Sequence, residues 1–177
     1  MSLATLSDAL PPYAADIKTN ISRLAADTVL TDQQKWGCLL ACAFAGGQRD
    51  VIAAVETEAG PRLTEDARNA ARTAATIMAM NTVYYGAVNL LHNHDYRADA
   101  SQLSMEALAD PGVDKVDFEL WALAVSALSN CEACLNSHEA ELHKRGVPIE
   151  RVQAVLKIAS VIAALSVVLR ATKAHAS

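Results

Sequence analysis

Phe118-Glu119-Leu120-Trp121-Ala122-Leu123-Ala124-Val125-Ser126-Ala127-Leu128-Ser129-Asn130-Cys131-Glu132-Ala133-Cys134-Leu135-Asn136-Ser137-His138 is the stretch that decides the fold. From Phe118 to Cys131 the only charged residue is Glu119, and the remainder is apolar nearly all round. A helix of that kind is buried inside a protein. The residues that follow are chemical: a C-x-x-C pair, with a histidine four residues after the second cysteine. On a helix, positions i, i+3 and i+7 share a face, so Cys131, Cys134 and His138 line up.

Two thiols that close to a disulfide release two electrons, and a neighbouring imidazole can take a thiol proton to leave the reactive thiolate. A lone buried carboxylate, Glu119, is expected to have a raised pKa and to accept a proton near neutral pH. A straight helix would hold Glu119 about 18 Å from Cys131. A reversal at Ser129-Asn130 instead folds the second helix back, bringing His138 about 10 Å along it toward the level of Glu119. In that arrangement Glu119 accepts a proton through His138, directly or through a water. Cys134, one turn from His138, becomes the thiolate, and Cys131 is the second thiol. The opposite order stays open, because Cys131 lies nearest a helix N-terminus, whose partial positive charge also lowers a thiol pKa.

The rest of the chain agrees with a helical protein. Its 177 residues suit a single domain with a sizeable core. It is alanine-rich, with only 7 glycines and 5 prolines, a turn-poor composition that favours closely packed helices. A net charge of -5 without a basic run argues against nucleic acid and against anionic membranes as partners. The N-terminus lacks the pattern of a signal peptide. The apolar run Ile158 to Leu169, flanked by Lys157 and Arg170, reads as too short to span a bilayer. Four cysteines are too few for a disulfide scaffold, so the expected setting is a reducing cytoplasm, where C-x-x-C is catalytic or metal-binding.

Start and stop signals divide the chain into helices. Pro11-Pro12 opens one that runs to about Ala26. Thr31 and Gln34 form a capping box for the helix carrying Trp36 to Ala45, which Gly46-Gly47 ends. Asp50 to Ala59 follows, stopped by Gly60-Pro61, and Thr64 caps a long helix to about Leu91. His92 to Tyr96 is a connection, a short helix follows Ser104, and Pro111-Gly112 is a turn. Helices then run over Asp114–Asn130, Cys131–Arg145 and Ile149–Ala171, the last two parted by Gly146-Val147-Pro148. No alternating strand pattern is present.

A gapless shift of 85 residues superposes Asp32 on Asp117, Trp36 on Trp121, Glu56 on Glu141 and Ile77 on Ile162. The expectation is one all-α domain over residues 1–177, built of two related helical halves. The first, about 28–92, is scaffold. The second, about 113–172, is catalytic, because Gly46, Arg49 and Ala53 stand opposite Cys131, Cys134 and His138.

Phe118-Glu119-Leu120-Trp121 followed by Cys131-x-x-Cys134-x-x-x-His138-Glu139 resembles the alkylhydroperoxidase D (AhpD) family of the carboxymuconolactone-decarboxylase-like superfamily. The likeness extends to Leu10-Pro11-x-Tyr13-Ala14-x-Asp16-Ile17-Lys18 and to Gln34-x-Trp36-Gly37. It implies an all-helical homo-oligomer, a trimer, acting as a thiol-dependent peroxidase and electron carrier on organic hydroperoxides. It implies no bound cofactor. The redox-active Cys131–Cys134 disulfide would be reduced by the lipoyl group of a lipoylated acyltransferase, itself served by dihydrolipoamide dehydrogenase. Electrons would pass on to a peroxiredoxin of the AhpC type. The family's functional residues fall on Glu119, Cys131, Cys134 and His138. One departure is clear: the best-known pattern has a relay histidine directly before the second cysteine, where this chain has Ala133.

Plainer readings stand beside these. Cys38 and Cys42 could complete a four-ligand zinc site with the C-x-x-C pair, making a non-enzymatic module, yet as mid-helix thiols they read as small core residues. Trp36 and Trp121 read as core anchors. His92 and His94 read as exposed loop residues, His143 as a partner of a helix C-terminus, and His175 as part of a frayed tail. A decarboxylase-like or lactone-processing enzyme on the same fold is the alternative activity, although acid–base work on a lactone needs no dithiol.

Overall fold

The computed structural model describes residues 1–97 and 102–174, and among these residues every regular element is helical. The helices are α1 (Leu3–Asp8), α2 (Ala15–Ala26), α3 (Asp32–Gly46), α4 (Arg49–Ala59), α5 (Glu65–Leu90), α6 (Glu106–Ala109), α7 (Lys115–Leu128), α8 (Glu132–Lys144) and α9 (Ile149–Ala174). The cause of each boundary is local. Thr31 caps α3 by accepting from the Gln34 amide, while the Gln34 side chain accepts from the Thr31 amide, the reciprocal box its sequence announces. Gly47 ends α3 at φ 65°, a left-handed conformation that suits glycine. Thr64 and Asp114 cap α5 and α7 with their own side chains.

α3 and α7 form the centre. Each is buried over an unbroken stretch, Gln34–Ala43 and Asp117–Ser126, as expected of helices covered on all sides. They pack on each other and on the long helices α5 and α9. α4 lies on α3, and α8 lies on α7 and α5, while α1 and α2 cover the outside against α4 and α9. Helix lengths run 15, 11 and 26 residues in α3, α4 and α5, and 14, 13 and 26 in α7, α8 and α9.

Three details differ from the sequence reading. α1 has no counterpart there, because six residues are too few for a helical period to show; it is held by the Ser2 cap, by burial of Leu3 and Leu6, and by the Leu3 amide donating to Glu58 Oε1 at 2.7 Å. Cys131 precedes α8 as its N-cap, because Asn130 adopts φ 50° and breaks the helical path. By length and composition α9 is long and apolar enough to cross a membrane, which the count of its uncharged run did not credit. It nevertheless buries Val155, Ile158, Ile162 and Leu165 in the protein core.

The contact of α3 with α7 fixes the frame around the site. Asp117, buried at the start of α7, accepts from Gln33 Nε2 at 2.7 Å and Gln34 Nε2 at 2.8 Å, so Gln34 serves a cap and a helix contact together. Trp121, fully buried, donates its indole N–H to the Gln34 carbonyl at 3.0 Å. Its ring lies so close to Gly37 that a Cβ there would meet Trp121 ring carbons at 2.2 Å. Gly37→Ala should therefore destabilise the protein by roughly 3 kcal/mol, the upper range for overpacking a core. Denaturant unfolding checks this, and an unchanged midpoint would rule out so close a packing.

Candidate active site

The fold brings the sequence-predicted residues together in one place. α7 ends at Leu128, Asn130 turns the chain, and α8 returns alongside α7. Cys131 and Cys134 are joined by a disulfide, with Cα atoms 5.3 Å apart. Both are buried, and the Cys134 amide donates to Cys131 Sγ at 3.4 Å, so the first sulfur caps the helix carrying the second.

His138, two turns into α8, reaches Glu119 directly: Nδ1 lies 2.6 Å from Glu119 Oε2. The carboxylate's other oxygen, Oε1, is 2.9 Å from Lys115 Nζ, one turn back on α7. This corrects the expectation of a raised Glu119 pKa. Burial alone pushes the carboxyl up, but the hydrogen bonds of His138 and Lys115 and their positive charges together outweigh it and hold it below the usual carboxylate value. Glu119 is thus an ionised acceptor, and His138 Nδ1 carries the proton between them. The other ring nitrogen, Nε2, lies 3.1 Å from Met78 Sδ on α5. A thioether can only accept, so this contact leaves Nε2 with no donor facing it. Both ring nitrogens are so engaged, and neither hydrogen-bonds a sulfur of the disulfide.

Beside the pair lies a cavity of about 280 Å³, with Cys134, His138, Ala133 and Ser137 on one wall, Asn81 and Tyr85 of α5 on another, and Met105 and Leu108 across from them. Cys131 is not part of its lining. Lys115 also donates to the Leu108 carbonyl, so the same ammonium that meets Glu119 anchors the outer wall. Three participants were missed from the sequence. Lys115 stands at i−4 from Glu119, a spacing that makes a legible helical ion pair. Met78 and Asn81 come from a helix some fifty residues away in the chain, and no local pattern points to them.

The remaining candidates lie elsewhere. Cys38 and Cys42 are fully buried free thiols in α3; burial first, and Cys42 beside it, pushes the Cys38 thiol well above its ordinary range, which leaves it unreactive. Among the described residues no three His, Cys, Asp or Glu side chains converge as metal ligands do. Trp36, under the Arg62 guanidinium at 4.4 Å, and Trp121 are core residues. His92 and His143 are exposed, and His175 lies outside the described residues.

Residues 95–176 match the carboxymuconolactone decarboxylase family. Over its whole length the chain is 49% identical to a protein of Hyphomonas neptunium named alkyl hydroperoxide reductase AhpD, covering 98% of that protein. It is 48% identical over 97% of its length to one of Maricaulis maris, covering 99% of it, and 44% identical over 99% of its length to one of a Methylobacterium species, covering 100%; both carry the same name.

Because its folded pKa is depressed, Glu119 adds stability that is present above the unfolded carboxylate value and lost as pH falls through the folded one. Lys115→Met removes one of its two cations. The Glu119 titration, followed by carboxyl-carbon NMR, should move up, and acid unfolding should begin at higher pH. A titration that stays in place would show that Lys115 does not hold the charge.

Proposed function

The chain belongs to the AhpD family, and on that premise we propose that it reduces organic hydroperoxides through a dithiol–disulfide cycle at Cys131 and Cys134. The observation that carries this reading is the Lys115–Glu119–His138 chain of contacts set against a cavity whose wall includes Cys134. Such a chain can move a proton to or from a buried thiol.

In the reduced protein Cys134 is the attacking thiolate, because it is the cysteine that lines the cavity, one turn from His138. Its proton passes to the His138–Glu119 pair, by a turn of the ring away from Met78 or through a water in the cavity. Attack on the terminal oxygen of the hydroperoxide forms an S–O bond and breaks the O–O bond. The leaving alkoxide takes a proton from His138 and departs as the alcohol. Cys134 is then a sulfenic acid. Cys131 attacks its sulfur, the disulfide forms, and water leaves.

Thiol–disulfide exchange with a dihydrolipoyl group on a lipoylated acyltransferase, kept reduced by dihydrolipoamide dehydrogenase, restores the pair. In the same reading the dithiol also serves a peroxiredoxin of the AhpC type, in the cytoplasm, as a homotrimer. The exposed Val83, Leu90, Leu91 and Tyr96 at the end of α5 and just beyond supply apolar surface for such an assembly. Without the histidine that Ala133 replaces, direct peroxide turnover is expected to be weak beside carrier activity.

A second reading, decarboxylase-like chemistry on the same acid–base pair, is favoured by the family matched over residues 95–176. One experiment separates the two. NADH consumption is followed with lipoamide, dihydrolipoamide dehydrogenase, the protein and cumene hydroperoxide, with and without an AhpC-type peroxiredoxin. Turnover should appear in the wild type and fall at least 100-fold, the order expected on losing a nucleophile, in Cys131→Ser and Cys134→Ser. Turnover only with peroxiredoxin present identifies a carrier. No turnover in either case, from protein with two titratable thiols, would sink the redox reading.

A further inference from the structure

Asn81 is 5% exposed, on the same face of α5 as Met78, three residues earlier. Met78 meets His138, while Asn81 lines the cavity beside Cys134 and His138. Its Oδ1 is buried and has no hydrogen-bond partner among the described residues. A desolvated amide oxygen left unpaired is costly, and a ligand atom or an ordered water that completes it recovers that cost. Ala133, on the wall that carries Cys134 and His138, adds only a methyl group to the lining. Tyr85, Met105 and Leu108 make the rest of the lining largely apolar.

We propose that Asn81 is the residue that binds the hydroperoxide group: its amide, turned about χ2 so that the Oδ1 now packed against protein faces the cavity, accepts a hydrogen bond from the terminal O–H while the organic substituent lies against Tyr85, Met105 and Leu108. This rests on the peroxidase reading above and adds to it the anchor that orients the substrate. The hydroperoxide proton has no other role in the attack. It stays on the terminal oxygen as that oxygen passes to sulfur, and it ends on the Cys134 sulfenic acid. An acceptor for it therefore assists without being consumed. Held by that proton, the terminal oxygen faces Cys134 and the O–O bond points away from the sulfur, the alignment that displacement at oxygen needs. The alkoxide oxygen then leaves on the side of the cavity where His138 can protonate it.

The test is the rate at which fully reduced protein consumes cumene hydroperoxide under single-turnover conditions, in wild type, Asn81→Leu and Asn81→Ala. The rate of Cys134 alkylation by iodoacetamide is measured beside it. Iodoacetamide reports the thiolate without using a hydroperoxide proton. Leucine keeps the volume and removes the acceptor, while alanine guards against misfolding of the larger change, with thermal unfolding as the check on both. The expected result is a fall of roughly tenfold in the hydroperoxide rate, the order of one lost hydrogen bond, with alkylation within about twofold of wild type. Wild-type hydroperoxide rates in both variants would overturn the assignment. So would an equal fall in alkylation, which would place Asn81 behind the thiolate and not on the substrate. A wild-type protein that alkylates normally yet ignores hydroperoxide would instead overturn the peroxidase reading, and the assignment with it.

Discussion

The structure turns on a carboxylate that stays charged inside a helical core. Glu119 sits on the most buried helix of the protein, where desolvation alone would drive it to take up a proton. It stays ionised because each oxygen has its own cationic partner: Lys115 from its own helix, one turn back, and His138 from the next helix. The first contact needs only helical periodicity. The second needs α8 to run back along α7, and therefore needs the reversal at Asn130, the packing of α7 on α3, and the close approach of Trp121 to Gly37 that sets it. Much of the scaffold can be read as what keeps α7 and α8 in register.

The same ionised group orients the histidine. A carboxylate on one side and a thioether on the other both accept, so neither neighbour offers the imidazole a proton. In the proposed cycle the ring takes a proton from a thiol and passes it to a leaving group.

Much of this was legible in the sequence, for physical reasons that differ from element to element. Helix boundaries were readable because caps and breakers act locally: Thr31 with Gln34, Thr64, Gly47, and the Gly146-Val147-Pro148 step each do their work within five residues. The meeting of Glu119 with His138 was readable because one reversal and the rise of a helix leave little choice of geometry. The charge of Glu119 is not legible within Phe118–Cys131, because Lys115, whose ammonium meets it, lies three residues before that stretch. Met78 and Asn81 were not legible, since what brings α5 against α8 is the summed packing of long, alanine-rich faces, and no single residue encodes it. α1 was lost for the opposite reason, being too short to carry a period.

The placement of the two cysteines has a mechanical consequence. One is the residue just before α8 and the other lies within its first turn, so the helix itself sets the 5.3 Å between their Cα atoms. That spacing suits a closed disulfide and is equally that of two separate thiols on one turn of helix. Opening and closing the bond then requires rotation about side-chain torsions and little displacement of backbone. In the proposed cycle the reorganisation attending each two-electron step is confined to a few atoms, and the surrounding core can stay rigid.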